Sequence, residues 1–226
     1  GKNGTFFDLA SKNDLYFGSF SRKTKIRELD DMDMMIGLSG YNTLYSLITW
    51  DNVKMSIKDN DSQFNDYCDS NGYISSTKIK NKFISELKKI RDYYKADLHS
   101  RGEAVTLELL SYDWTFDIVP CFKCSEQDKY IIPNGNGHWK FTNPRIEQER
   151  VTRINQKHSG KVLDTIRLVK YWNRRGKMPT MVSYVLETMI LDYFDSIEKT
   201  PDWIEQRFCD VLYYIKNHIW NAIYDS

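Results

Sequence analysis

Gly18-Ser19-Phe20 and, further on, Asp31-Met32-Asp33 form the stretch around which the rest of this chain is organised. Leu15-Tyr16-Phe17 leads in as a short apolar run, Gly18-Ser19 turns the backbone, and Met34-Met35-Ile36 continues beyond the acids as a strand. Side chains alternate faces along a strand, so Asp31 and Asp33 point to one side, while Asp30 points the other way, into solvent. Two carboxylates so placed repel each other unless a cation lies between them. A serine after a glycine at a strand-to-helix turn offers a hydroxyl and free backbone N–H groups, which suit phosphate. Together the parts predict a magnesium-dependent site for a nucleoside triphosphate.

The chain has 226 residues, 41% of them hydrophobic, enough for a substantial core in one domain or two packed lobes. Its 32 Lys+Arg against 31 Asp+Glu leave a net charge of +1, so any attraction to nucleic acid or membrane must come from a local patch. No run reaches the ~18 apolar residues of a membrane span, and Gly1-Lys2-Asn3-Gly4 does not open a signal peptide. Cys68, Cys121, Cys124 and Cys209 are too scattered for a disulfide framework. The expectation is a soluble cytoplasmic protein with no membrane partner, from which termini or internal segments could be missing.

Residues 1–14 read as a loop or helix end, and 40–75 as irregular excursions around short elements. Ile79, Phe83, Leu87, Ile90 and Tyr94 recur at helical spacing and predict a helix over Thr77–Lys95, with Ser75 or Ser76 as N-cap. Its other face, with Lys78, Lys80, Lys82, Lys88, Lys89 and Arg91, is expected to be solvated. Ala104–Leu110 and Trp114–Val119 read as strands joined by a turn at Ser111-Tyr112-Asp113. Asp117 lies inside the second run, between Phe116 and Ile118-Val119. An ionised group there needs a partner or a metal. Its alternative reading is an edge-strand aspartate facing water, which Pro120 would allow.

Residues 120–160 read as connecting structure. Three helices then follow: about Gly160 to Asn173, a second marked by Val185, Leu186, Met189, Ile190 and Phe194, and a third begun by Thr200-Pro201 as N-cap and N1. Cys121-x-x-Cys124 with His138 supplies three of the four ligands a structural zinc normally takes, so ordinary thiols are the better reading. His99, His158 and His218 lack a partner pattern and read as surface residues. Asn134-Gly135-Asn136-Gly137 reads as a turn, not a phosphate loop.

These residues resemble the polymerase-β-like nucleotidyltransferases, above all the cGAS/DncV-like branch, the CD-NTases. Gly18–Ile26 is similar to the branch's GSFxRxTxI segment and Phe116–Pro120 to its FDxVP strand. Tyr130–Pro133, Gly137-His138-Trp139 and Thr142-Asn143-Pro144 are similar to YxIP…GxW…TNP, Arg167–Asn173 to RLxKxWN, and Ser183-Tyr184 to the SY helix start. Lys23-Thr24 departs from the usual small GT pair, and the family's first long helix and final helices look absent or shortened. The resemblance implies an α+β fold: a mixed twisted sheet flanked by helices over residues 1–158, packed on a helical C-terminal lobe over 159–226.

It also implies transfer of a nucleoside monophosphate from a triphosphate to a ribose hydroxyl, chemistry of positioning and charge neutralisation. Asp31, Asp33 and Asp117 would be the catalytic acids and would hold two Mg2+ ions, with Mn2+ as substitute; Asp117 would accept the hydroxyl proton. Gly18, Ser19, Lys170, Ser183 and Tyr184 would bind the nucleotide: Ser19 and Lys170 through phosphate, Ser183 at a helix start, Tyr184 by stacking on a base. Lys170 alone would read as a surface lysine. The implied product is a cyclic di- or oligonucleotide second messenger, as in bacterial anti-phage (CBASS-type) signalling, read by a separate effector, with RNA or a regulatory protein as activator. Alternatives are a linear transferase of the oligoadenylate or RNA-tailing type, and a silent nucleotide- or RNA-binding regulator using the basic helix.

Overall fold

The computed structural model describes residues 6–26, 31–110, 114–124, 128–175 and 179–220, with Asp31 described in its backbone only. Contacts divide the chain into two units, Gly1–Phe20 with Leu29–Arg145, and Ser21–Glu28 with Ile146–Ser226.

The first unit is built on a mixed sheet. Its strands are β1 (Leu15–Phe17), β2 (Asp31–Gly37), β3 (Thr43–Thr49), β4 (Asn52–Ile57), β5 (Asp97–Arg101), β6 (Ala104–Leu109), β7 (Trp114–Lys123), β8 (Tyr130–Pro133) and β9 (Trp139–Thr142). The order is β1-β2-β7-β8-β9-β4-β3, with β5 and β6 branching from β7. β2 and β7 run parallel; the other pairs are antiparallel. Alternation separates two faces. Ile118, Phe122, Ile131 and Trp139 join the large core beneath α2 (Ser76–Leu87), while Met35, Val119, Cys121 and Tyr130 form a smaller core on the other face.

A single turn of helix, α1 (Gly18–Ser21), follows β1 directly. α3 (Pro144–Lys157) leads out of the sheet. In the second unit α4 (Lys161–Asn173), α5 (Ser183–Ser196) and α6 (Ile204–His218) bury Ile154, Ile166, Val169, Ile190, Phe194 and Val211. No helix among the described residues is long and apolar enough to cross a membrane.

Several expectations are corrected. Residues 43–57 are a β-hairpin, not irregular: β3 is exposed along most of its length, so its sequence shows no alternation. α2 stops at Leu87, although the apolar spacing continues, and Ile90 and Tyr94 beyond it are exposed. On its other face Lys80 is buried and donates to the Gly102 carbonyl. Residues 120–160 hold two further strands and α3 rather than connecting structure.

Pro120 does not mark an edge, since β7 is central. The Cys121 carbonyl bonds Leu38 on the β2 side, so the groups of Pro120 turn to the opposite side, between the last β6 pair at Ile118 and the first β8 pair at Phe122. The missing N–H falls where no strand needs it. The turn at Ser111–Asp113 lies outside the described residues, but Leu109 pairs with Trp114 as a hairpin requires. α6 begins at Ile204, with Trp203 in the N-cap position, not at Pro201. His158 is buried rather than on the surface, 2.7 Å from the Phe194 carbonyl through Nε2 and 2.5 Å from Thr200 Oγ1 through Nδ1.

Candidate functional site

The sheet unit assembles the acids. Parallel pairing sets Asp33 against Asp117 and Asp31 against Thr115. Asp33 and Asp117 therefore share the sheet face that carries Met35 and Val119, at the N-terminal end of that face. Two carboxylates in register on neighbouring strands repel unless something positive joins them. The Asp31 backbone stands two positions before Asp33; its side chain, like Asp30, lies outside the described atoms.

Gly18 fits against this pair. Its φ of 69° is a left-handed conformation that glycine tolerates, and a Cβ built there would fall onto the Asp33 carboxylate. Ser19 follows in the same helical turn. Thr106 of β6, fully buried, stands opposite Asp117 and donates its hydroxyl to Oδ1 at 2.6 Å.

The donor set suits a hard divalent cation: oxygen ligands only, in a glycine-sided cradle. Among the described residues no group of three His, Cys, Asp or Glu forms a complete cage. Asp33 and Asp117 are the residues present, with Asp31 next on the same strand.

The helical unit holds the remaining candidates. Ser183 is the first residue of α5, where backbone N–H groups lack helical partners, and Tyr184 beside it is 38% exposed. Lys170 is not a surface lysine; it is 4% exposed on α4. Its Nζ donates to Glu187 Oε2 at 3.3 Å. The same carboxylate accepts from Thr24 Oγ1 at 2.9 Å, and its Oε1 accepts from Arg22 Nε at 2.7 Å. Arg22 reaches on to Glu147 at 3.1 Å. Burial pushes the Lys170 ammonium below its ordinary pKa and Glu187 opposes that, while Arg22 and Arg174 add to it.

No family model matches the chain. A probable cyclic nucleotide synthase of Bacillus cereus (strain VD146) is 40% identical over 220 residues, 96% of this chain. The chain spans 66% of that relative's length. The CD-NTase resemblance of its motifs and this relative agree. The chain is similar to that synthase and, in its motifs, to the CD-NTases. The CdnE cyclic dinucleotide synthase of Elizabethkingia meningoseptica, solved with GTP and Apcpp, superposes with a TM-score of 0.65 at 13% identity, over 92% of this chain and 71% of that one. At that identity the likeness concerns the fold, which is the polymerase-β-like architecture expected.

Sequence reading alone overlooked Thr106, Arg22, Thr24 and Glu187. Thr106 lies 11 positions from Asp117, and only strand register brings it opposite. Arg22 and Thr24 stand inside the GSFxRxTxI segment, which was a signal for them, but their partner Glu187 comes 165 and 163 positions later. The thiols of Cys121 and Cys124 are buried and free, and burial pushes Cys121 up to about 12, which suits inert core residues.

Proposed function

We propose that this protein is a CD-NTase that joins nucleoside triphosphates through phosphodiester bonds into a cyclic di- or oligonucleotide, releasing pyrophosphate. The observation that carries the reading is Asp33 in register with Asp117 on parallel strands, with the Gly18 turn set against Asp33. The relatives support it: one is named a probable cyclic nucleotide synthase, and the other was solved with GTP and Apcpp.

Asp31, Asp33 and Asp117 would hold Mg2+, or Mn2+ in its place. When bound, such ions neutralise triphosphate charge and acidify the attacking hydroxyl. The ribose hydroxyl oxygen bonds to the α-phosphorus, the bond to the bridging oxygen of the β-phosphate breaks, and pyrophosphate leaves with that electron pair. Asp117, one oxygen held by Thr106, takes the hydroxyl proton on the other. The Gly18-Ser19 turn presents backbone N–H groups and a hydroxyl to phosphate. Lys170 and Ser183 contribute phosphate contacts and Tyr184 a face for a base. The setting we infer is bacterial anti-phage signalling in the cytoplasm, with the product read by a separate effector and RNA or a regulatory protein as activator.

Purified protein with labelled ribonucleoside triphosphates and magnesium should give a phosphatase-resistant product with the mass of a cyclic species. A linear, nuclease-sensitive product of the same bases would replace cyclisation by chain extension. Asp33→Asn and Asp117→Asn should each lower turnover by roughly 10²–10³-fold, the scale set by losing a group that stabilises transition-state charge. Undiminished product from the Asp33→Asn, Asp117→Asn double variant would overturn the site.

A further inference from the structure

Within the helical unit the buried carboxylate of Glu187 is bonded to Lys170. An ammonium carries three donors. Among the described residues Glu187 is the acceptor bonded to Lys170, and it takes one of them. Leaving donors unspent inside a protein is unfavourable, so a buried ammonium of this kind is held ready for further oxygens. Glu187 itself is 3% exposed and fixed from three directions, by Arg22, Thr24 and Lys170. A small cavity of about 30 Å³ opens beside it, lined by Arg22, Glu147, Tyr184 and Thr188 among others.

We propose that Glu187 is a positioning residue: its buried carboxylate is the fixed counter-ion that holds the Lys170 ammonium in place for the phosphates of a nucleoside triphosphate. The proposal rests on Lys170 being a triphosphate ligand. The charged groups facing Lys170 are Glu187 of α5, Arg174 at the end of α4, and Arg22 in the segment after α1. From α6, Arg207 is turned away, toward Thr165 and the carbonyls of Pro201 and Asp202.

Without the Glu187 charge, burial and the two arginines act on the ammonium unopposed, so it sheds its proton at lower pH. The neutral amine has lost the charge that makes lysine a phosphate ligand. Arg22 and Thr24 fix Glu187, so the pair is held by the chain immediately after the Gly18-Ser19 turn.

Calorimetry with magnesium compares α,β-methylene analogues of ATP and GTP with AMP and GMP, on the parent, Lys170→Met, Glu187→Gln and Glu187→Asp. Glu187→Gln should weaken the triphosphate analogues more at about pH 9 than at about pH 7, because its Lys170 loses the proton at lower pH than the parent's. Monophosphate binding should not move. Glu187→Asp keeps the charge, so its triphosphate affinity should fall without acquiring the new pH dependence. Equal weakening of mono- and triphosphates by Glu187→Gln, flat across pH, would mean a merely structural residue and sink the proposal while leaving Lys170 its role. Parent-like triphosphate affinity in Lys170→Met would instead remove the reading of Lys170. If Glu187→Gln does not fold by circular dichroism, Glu187→Asp decides: triphosphate-selective weakening supports the proposal, and unselective weakening overturns it.

Discussion

Thr106 and Gly18 define how the acids are held, and each makes a prediction about a single atom. Thr106 donates to Asp117 Oδ1 and is itself fully buried, so its hydroxyl fixes the carboxylate as an outer partner fixes a metal ligand. Thr106→Val keeps the shape and removes the donor; turnover should fall by roughly 10–100-fold, the usual loss when such a partner is removed. Thr106→Ser should retain most of the rate, and a Thr106→Val variant as active as Thr106→Ser would refute the role. Gly18→Ala should lose activity and about 1–2 kcal/mol of stability, because a left-handed backbone disfavours a Cβ and this Cβ meets Asp33. Urea denaturation and product assay read the two effects separately. The sequence pattern reached Gly18, Asp33 and Asp117 because glycine in a turn and acids in apolar strands are local signals. Thr106 was not legible, since a threonine in a strand is ordinary until register sets it beside a carboxylate.

At the level of elements, legibility followed periodicity. α4 and α5 were readable because Ile166, Val169, Leu186 and Ile190 recur on one buried face, and α2 because Ser75 caps it by accepting from Lys78 N. β3 was not: Leu44, Tyr45, Leu47 and Ile48 are all exposed, so its apolar residues follow no face. β8 and β9 hid behind prolines and glycines that read as loop, although Pro133 closes β8 and Gly135 and Gly137 turn between the two strands. The start of α6 was misplaced because Thr200 has another task. Its hydroxyl lies 2.5 Å from His158 Nδ1, while Nε2 meets the Phe194 carbonyl, so Thr200 ties the end of α3 to the chain entering α6. Thr200→Val would strand a buried ring nitrogen and should lower stability by about 1–3 kcal/mol. A Thr200→Ser variant that falls as far as Thr200→Val in a urea titration would show that the methyl, not the hydroxyl, matters.

Over the whole molecule the charges nearly cancel, 32 basic against 31 acidic residues, so the response of stability to pH is set by individual buried groups rather than by net repulsion. Each unit has its own core, and the sheet core contains a thiol with a clear sign. Burial raises Cys121 from 9.0 to about 12. A group whose folded pKa is raised contributes stability that is complete below its unfolded value and is lost as pH climbs toward the folded one, here between 9.0 and about 12. Lys80 and Lys170 act oppositely: burial lowers both below 10.5, so their charged forms oppose folding, and stability recovers as pH rises from their folded values toward 10.5. The parent curve mixes these trends, but Cys121→Ala isolates one. Its denaturation free energy should lie below the parent's at neutral pH, because the core loses an atom. That gap should shrink above pH 9 by up to about 1.4 kcal/mol per pH unit, since the parent's thiol gives up its proton on unfolding and the variant has none to give. A gap that stays constant across alkaline pH would show that Cys121 titrates alike in the folded and unfolded chain, and that the core around it is open to water.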